Sequence, residues 1–133
     1  MYHFPSRDAL IAGFIERAGE WWDSELEDAL AQGRSVADFF LSPVAEAEAD
    51  IARALLALPV ADLTQERTNR TLQTLLSRWS RRLQAEVAGD PVRAELIRLV
   101  GGGLLMDALT GRRSEPELLA AVRARLLDGP GDE

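Results

Sequence analysis

The acidic cluster of Glu46, Glu48 and Asp50 is a first candidate for chemistry, because paired carboxylates can act as general acid and base or hold a metal ion. These residues lie in a stretch with helical periodicity, on the side opposite its apolar stripe. A run of charges in that position is usually a hydrated surface. We therefore expect these carboxylates to face solvent and to take no part in a reaction.

The rest of the sequence lacks the side-chain combinations of familiar catalytic sites. It has no cysteine and one histidine, His3, which excludes thiolate chemistry and paired Glu-x-x-His metal sites. No Gly-x-Ser-x-Gly, phosphate loop or His-Glu-x-x-His motif occurs. The group of Arg78, Arg81 and Arg82 is ambiguous, and solvated cations beside Glu86 are one interpretation. We expect no enzyme, no cofactor and no metal site.

The composition indicates one globular domain. The chain has 133 residues, 47% of them hydrophobic, and 15 basic against 22 acidic residues leave a net charge of −7. A surface that holds DNA must be basic to neutralise phosphates, so this chain alone should bind DNA poorly. No apolar run approaches the ~20 residues that span a bilayer, and we expect a cytoplasmic protein with no membrane partner.

The elements that position these side chains are predicted to be helices. Apolar residues recur every three or four positions, and no segment alternates with period two, so we expect an all-α bundle of five to six antiparallel helices. The first is long, from Ser6 to about residue 32, and a short helix at 35–41 is kinked into one that ends near residue 58. A third long helix resumes its apolar stripe at Leu72, after polar residues at 64–71 that should project from the body or border a wet cavity.

The last two helices, predicted at 91–110 and 114–127, differ from the others. Residues 96–109 have Arg98 and Asp107 as their only charges, so burying one face in a core leaves a second apolar face uncovered. The glycines at 101–103 lie within this segment. They indicate either a close approach between helices or a loop that divides two short helices.

Residues 1–10 carry a motif at the start of the first long helix. Its order is an aromatic residue, a variable position, His or Tyr, Phe, a short turn, a basic residue, an acid, any residue and a leucine, and Met1 stands at the first of these positions. The residues that fit are Tyr2, His3, Phe4, Ser6, Arg7, Asp8 and Leu10. This resembles the junction between the DNA-reading helix and the effector domain in the TetR family of transcriptional regulators. The glycine segment is similar to a second family pattern, small-small-x-Gly-Leu-x-x-x-x-Leu, at Gly101, Gly102, Gly103, Leu104 and Leu109.

The resemblance implies a domain map and a partner. Residues 1–10 would be the remnant of a junction from which the preceding DNA-binding helices, about forty-five residues, are missing. Residues 6–127 would be the effector-binding and dimerisation domain of a bacterial regulator, and residues 128–133 a disordered tail. The family implies a homodimer formed by the last two helices. Candidate interface residues are Leu99, Gly102, Gly103, Met106, Leu118, Val122 and Leu126.

The resemblance also implies a ligand. A small apolar or amphipathic effector would bind among the helices, shift the first long helix and so control DNA binding allosterically; DNA itself would be contacted only by a helix-turn-helix. The candidate ligand-binding residues are Trp22, Phe40, Asn69, Thr71, Leu75 and Trp79. The alternative for each aromatic residue is ordinary core packing.

Two other functions remain open from the sequence. A helical dimerisation or interaction protein without ligand or DNA binding would have a solid core in place of a cavity. A small all-α enzyme of unfamiliar type is disfavoured by the missing catalytic motifs.

Overall fold

The computed structural model describes residues 6–43 and 46–128, and this part of the chain is helical without a strand. Its helices are α1 (Arg7–Ala31), α2 (Val36–Leu41), α3 (Glu46–Leu56), α4 (Val60–Leu63), α5 (Glu66–Glu86), α6 (Pro91–Thr110) and α7 (Pro116–Leu127). The predicted all-α bundle is confirmed, with the four-residue α4 as an additional short helix. Residues 1–5 of the expected junction and residues 129–133 of the expected tail lie outside the described residues.

Short polar side chains begin three of the helices. Ser6, Ser35 and Asp90 each accept a hydrogen bond from the amide three residues later, at 3.0 to 3.1 Å. Gly33 and Gly111 follow the ends of α1 and α6 with φ of 82° and 76°, a left-handed conformation that glycine adopts without steric cost. These local signals explain why the predicted boundaries of α1, α2 and α6 are close to those observed.

The main core lies where α1, α2, α5 and α6 meet. One almost completely buried side chain comes from each helix: Leu26, Leu41, Leu83 and Ile97. Removing a side chain of this kind from water stabilises the fold by roughly 1.5–3 kcal/mol. The core therefore ties the first long helix to the segment that carries the three glycines.

Helices α1 and α5 pack along their length and run in the same direction. Ile15 and Leu75 are buried between them. Gly19 makes the close packing possible, since a Cβ atom at this position would lie 2.8 Å from Cδ1 of Leu75. The long path through α2, α3 and α4 allows the chain to return for a parallel pairing.

Two arginines of α5 bind acidic residues of α1. Arg78 forms an ion pair with Asp23, and Arg82 forms one with Glu27 at 2.7 Å. Glu86 has a different role from the one suggested by the sequence, because its carboxylate accepts hydrogen bonds from the first two amides of α2, both at 2.7 Å. A carboxylate at a helix N-terminus satisfies amides that lack partners within the helix.

Residues 64–71, which include the polar start of α5, were predicted to project from the body or to border a wet cavity, and Thr68 does neither. Thr68 is completely buried, and its amide and hydroxyl donate to Oδ1 of Asp8 at 2.8 and 2.7 Å. The amide of Arg67 donates to the other carboxylate oxygen at 3.0 Å. The interpretation of this turn as a projecting or cavity-lining segment was therefore wrong for Thr68, because a carboxylate on α1 supplies the polar partner.

The glycines at 101–103 lie within a continuous α6, so the alternative of a loop between two short helices is wrong. Gly101 packs against α2, where a Cβ atom would lie 2.9 Å from the backbone oxygen of Phe40. Gly102 and Gly103 have no atom within 4 Å of a Cβ position. The close helix approach predicted from this segment thus occurs at Gly101 inside the chain.

One side of α6 is apolar and exposed. Val92, Leu96, Leu99, Gly103 and Met106 recur at intervals of three and four residues, and we call them the α6 stripe. Their large side chains are exposed by 46% to 68%. Gly103 lies between Leu99 and Met106 in this stripe and, having no side chain, leaves a gap in it.

The other predicted interface residues divide into two groups. Leu118 of α7 is 62% exposed, and Gly102 is also exposed. Val122 and Leu126 are partly buried, and Leu126 packs against the core of its own chain. The exposed face of α6 and α7 therefore includes five of the seven predicted interface residues.

Candidate functional site

A cavity of about 260 Å³ opens between α1, α2, α5 and α6, with one side chain from α3 at its wall. We call it the aromatic cavity. It is lined by Trp22, Leu26, Phe39, Phe40, Ser42, Glu48, Leu76, Trp79, Ser80, Leu83, Arg98, Gly101, Gly102 and Leu105. Most of these side chains are apolar, so the cavity suits an apolar body with a few polar contacts.

Aromatic rings form one wall through edge-to-face contacts. The rings of Trp22 and Trp79 have centroids 5.5 Å apart at 84°, and those of Phe40 and Trp79 are 6.5 Å apart at 69°. This geometry sets the positive edge of one ring against the negative face of the next. The rings hold each other in place, which gives the wall a defined shape.

Both tryptophans of this wall have their indole N–H groups bound by carboxylates. Nε1 of Trp22 donates to Oε1 of Glu48 at 2.9 Å, and Nε1 of Trp79 donates to Oδ1 of Asp23 at 3.0 Å. Neither group is then available as a hydrogen-bond donor to a ligand without breaking these bonds. The two rings contribute apolar surface and π faces to the site.

The position of Glu48 corrects the sequence analysis, which placed the acidic cluster on the solvent side. Glu48 is partly buried, lines the aromatic cavity and holds Trp22. The reason is the orientation of α3, in which Ala49 and Ala52 are buried while Ala47 is exposed. The signal in the sequence was the pair Ala49 and Ala52, small residues that can pack closely against another helix on the side of α3 near Glu48.

The cation in the lining is already paired. Nε and Nη2 of Arg98 donate to the two carboxylate oxygens of Glu95 at 2.9 and 2.5 Å. This bidentate hydrogen bonding lowers the pKa of Glu95 and raises that of Arg98. The Ser42 hydroxyl donates to the backbone oxygen of Asp38 at 2.7 Å. The polar atoms of the lining thus offer mainly acceptors and paired charges.

The structure brings together three of the six predicted ligand-binding residues. Trp22, Phe40 and Trp79 line the aromatic cavity. Leu75 and Thr71 line a different space, because they lie on a different side of α5 from the cavity-facing residues. Asn69 lines neither space and donates from Nδ2 to the backbone oxygen of Leu63 at 3.4 Å.

That second space is a polar cleft of about 330 Å³ between α1 and α5. Its lining includes the charged side chains Glu16, Glu20, Asp23, Arg70 and Arg78. Two of these charges, Asp23 and Arg78, bind each other. Within residues 6–43 and 46–128, no group of three side chains is placed to hold a metal ion.

The family of the chain follows from its sequence and agrees with this architecture. Residues 34–128 match the family described as tetracyclin repressor-like, C-terminal domain. Because this match covers most of the chain, the chain belongs to that family. Domains of this family are parts of transcriptional regulators rather than enzymes. No curated protein and no solved structure matches the chain.

The match begins before α2 and ends at the last described residue, so it includes every helix of the aromatic cavity except α1. None of the helices that the structure describes has the length and apolarity needed to cross a membrane.

Proposed function

We propose that this domain senses a small apolar or amphipathic effector in the aromatic cavity and transmits binding to a DNA-reading head through α1. The observation that carries the proposal is the aromatic cavity itself, with Trp22 of α1 in its wall. A solid core at this place would have favoured an interaction protein without a ligand.

The size and lining of the cavity favour a small ligand. Sites for drug-sized molecules have volumes of about 300–1,000 Å³, so a cavity of about 260 Å³, just below that range, suits a smaller molecule. Tryptophan, phenylalanine and leucine side chains supply the apolar contact. Ser80 supplies a hydroxyl and Glu48 a carboxylate that can fix the orientation of the ligand.

Helix α1 is suited to transmit binding because it carries both the cavity wall and the end that leads to the head. Trp22 lies in its second half, and Asp8 in its first turn is held by Thr68 of α5. Ion pairs to Arg78 and Arg82 join the same two helices. A ligand that binds more tightly when α1 occupies one of two positions increases the population of that position. Movement of α1 would change the distance between the two DNA-reading heads of a dimer.

The proposal includes a homodimer that joins two copies through α6 and α7. The α6 stripe and Leu118 of α7 are apolar groups that a monomer leaves in water. A twofold dimer would pair this surface with itself. The gap at Gly103 would let the two α6 helices approach each other closely, because no side chain at this residue holds them apart.

Effector binding is tested by titrating the protein with neopentylbenzene, a neutral apolar molecule. Binding is measured by the change in tryptophan fluorescence. We expect saturable binding that Ser80→Phe abolishes, because the new ring fills the aromatic cavity. Ser77→Phe is the matched control, since residue 77 is exposed on the same helix and lines neither described space. Equal binding to both variants would exclude the cavity as the site and leave the interaction-protein function.

A further inference from the structure

We propose that the effector carries a neutral oxygen acceptor, such as a ketone or ester carbonyl, and that Arg98 binds this oxygen at the edge of the aromatic cavity. This inference rests on the proposed function and specifies its ligand class. It depends on three observations about the lining: which of its donors are already used, where Arg98 lies on α6, and how the charge of Arg98 is matched.

The indole donors of the cavity wall are already used. The N–H of Trp22 donates to Glu48 at 2.9 Å, and the N–H of Trp79 donates to Asp23 at 3.0 Å. An oxygen of the ligand could accept from either ring only by displacing a carboxylate. The hydrogen bond that orients such a ligand must therefore come from another side chain of the lining.

Arg98 keeps donors that can serve this purpose. Its guanidinium has five N–H groups, and Glu95 uses two of them, on Nε and Nη2, at 2.9 and 2.5 Å. Among residues 6–43 and 46–128, no other acceptor binds the remaining three. The Arg98 side chain is 51% exposed, so a ligand at the opening of the cavity can reach these N–H groups without moving Glu95.

The position of Arg98 on α6 places it at one end of an open face. Arg98, Gly101, Gly102 and Leu105 all line the cavity and recur at intervals of three and four residues, so they lie on the same side of the helix. Gly102 has no atom within 4 Å of a Cβ position. A ligand can therefore lie along this face, with its apolar body near Leu105 and its oxygen near Arg98.

The ion pair of Arg98 with Glu95 favours a neutral oxygen over an anion. It lowers the pKa of Glu95 and raises that of Arg98, so both groups stay ionised and their charges cancel. A carboxylate or phosphate on the effector would lie close to Glu95 and would lose its hydration in a mostly apolar cavity. A carbonyl oxygen accepts the same hydrogen bonds without this cost.

The test compares two probes of nearly identical shape. Cyclohexyl methyl ketone carries a carbonyl oxygen, and isopropenylcyclohexane has a methylene group in place of that oxygen. Equilibrium dialysis measures both dissociation constants, and the difference in hydration cancels when their ratio is compared between variants. Arg98→Met keeps a long side chain but removes the donors, so we expect the preference for the ketone to fall about fivefold.

Arg53→Met is the matched control. Arg53 also pairs with an acid three residues earlier on its own helix, Asp50, but it lines neither described space. This variant should leave the ratio unchanged. Isopropenylcyclohexane reports whether each variant still has a cavity that binds.

Glu95→Gln tests the charge argument while Arg98 stays in place. The arginine charge is then no longer matched, so cyclohexanecarboxylate should gain affinity relative to the ketone by about fivefold. This variant also decides the case in which Arg98→Met no longer binds isopropenylcyclohexane. An unchanged relative affinity of the two oxygen-containing probes in Glu95→Gln would then overturn the role of Arg98.

Three further results would overturn the inference. The ratio could be the same in Arg98→Met and the parent protein, Arg53→Met could lower it as much, or cyclohexanecarboxylate could bind the parent protein more tightly than the ketone. In each case binding of isopropenylcyclohexane would leave the proposed effector site standing. Failure of every probe to bind, neopentylbenzene included, would remove both proposals together.

Discussion

The hydroxyl of Thr68 on α5 donates to the carboxylate of Asp8 on α1 at 2.7 Å, and the Thr68 amide donates to the same oxygen at 2.8 Å. Thr68 is completely buried, so this carboxylate is the partner that makes burial of its hydroxyl possible. The contact fixes the first turn of α1 against the first turn of α5. It therefore anchors the end of α1 that would lead to a DNA-reading head.

Thr68→Val should destabilise the fold, because it preserves the shape of the side chain and removes the hydroxyl hydrogen bonds to the carboxylate and the backbone oxygen of Asp8. The expected loss in the free energy of unfolding is about 1–3 kcal/mol, measured by urea denaturation. Thr74→Val is the control, since the Thr74 hydroxyl bonds an exposed carbonyl of its own helix at 2.9 Å. Equal losses for both variants would contradict the importance of the interhelical contact.

Stability should fall in acid. Hydrogen bonds from Thr68, Arg34 and Arg7 lower the pKa values of Asp8, Asp38 and Asp62, respectively, below the ordinary 3.8. A carboxyl with a lower pKa in the folded state stabilises the fold above its unfolded pKa, and this contribution is lost as pH falls through the folded pKa.

The measurement is the midpoint of thermal unfolding from pH 7 downward. We expect a plateau above about pH 5 and a decline below the ordinary carboxyl pKa. Asp8→Asn should start from a lower midpoint and decline less, because one of the groups that must be protonated is gone. Asp50→Asn removes a charge whose partner, Arg53, lies on the same helix, and it should keep the parent slope. A midpoint that stays constant down to pH 2 would contradict the prediction.

Gly101→Ala and Gly102→Ala should have opposite effects on stability. A Cβ atom at residue 101 would lie 2.9 Å from the backbone oxygen of Phe40, and a backbone atom cannot easily move away. We expect a loss of about 1–3 kcal/mol from overpacking at this position. Residue 102 has open space, so alanine there should stabilise α6 by up to ~1 kcal/mol. Denaturant unfolding of the two variants decides this, and a gain in stability for Gly101→Ala would contradict the close contact.

Gly103→Leu should weaken the proposed homodimer. A leucine in the gap of the α6 stripe would separate two paired helices, and overpacking of about 1–3 kcal/mol corresponds to a dissociation constant raised roughly 5- to 150-fold. Sedimentation equilibrium of the parent chain should show a dimer at micromolar concentration. Gly13→Leu is the control, because residue 13 of α1 also has open space around its Cβ position. A parent chain that sediments as a monomer would exclude the interface.

DNA binding by the chain of residues 1–133 alone should be too weak to measure at physiological salt. The net charge of −7 repels the DNA phosphates. Nonspecific DNA binding depends on neutralising phosphates and weakens steeply as the salt concentration rises. An electrophoretic mobility shift with random-sequence DNA at 150 mM salt provides the measurement. A shift that persists under those conditions would contradict the assignment of DNA contact to a separate head.

Sequence periodicity was sufficient for the helices because their signals are local. Ser6, Ser35 and Asp90 cap helices through amides three residues away, and Gly111 ends α6 through its own backbone conformation. The exposed apolar side of α6 also followed from composition, since a helix apolar on all faces cannot bury every face in one chain.

The candidate site depended on tertiary structure. Trp22, Phe40 and Trp79 were predicted to line one cavity, and the structure places them there, but Leu75 on the same helix turns instead toward Gly19 of α1. A sequence states which face of a helix is apolar; it does not state which neighbour covers each part of that face.

Hydrogen bonds between carboxylates and residues far away in the chain were also determined by how the helices pack. Sequence periodicity assigned Glu48 to solvent and left Thr68 without a partner, whereas the rotation of α3 and the parallel pairing of α1 with α5 bring them to Trp22 and Asp8. Local sequence signals thus determined the elements, and two short motifs carried the family resemblance. The contacts between elements, which fix the cavity and its charge, were determined by how the helices pack, because such contacts join residues that no local signal relates.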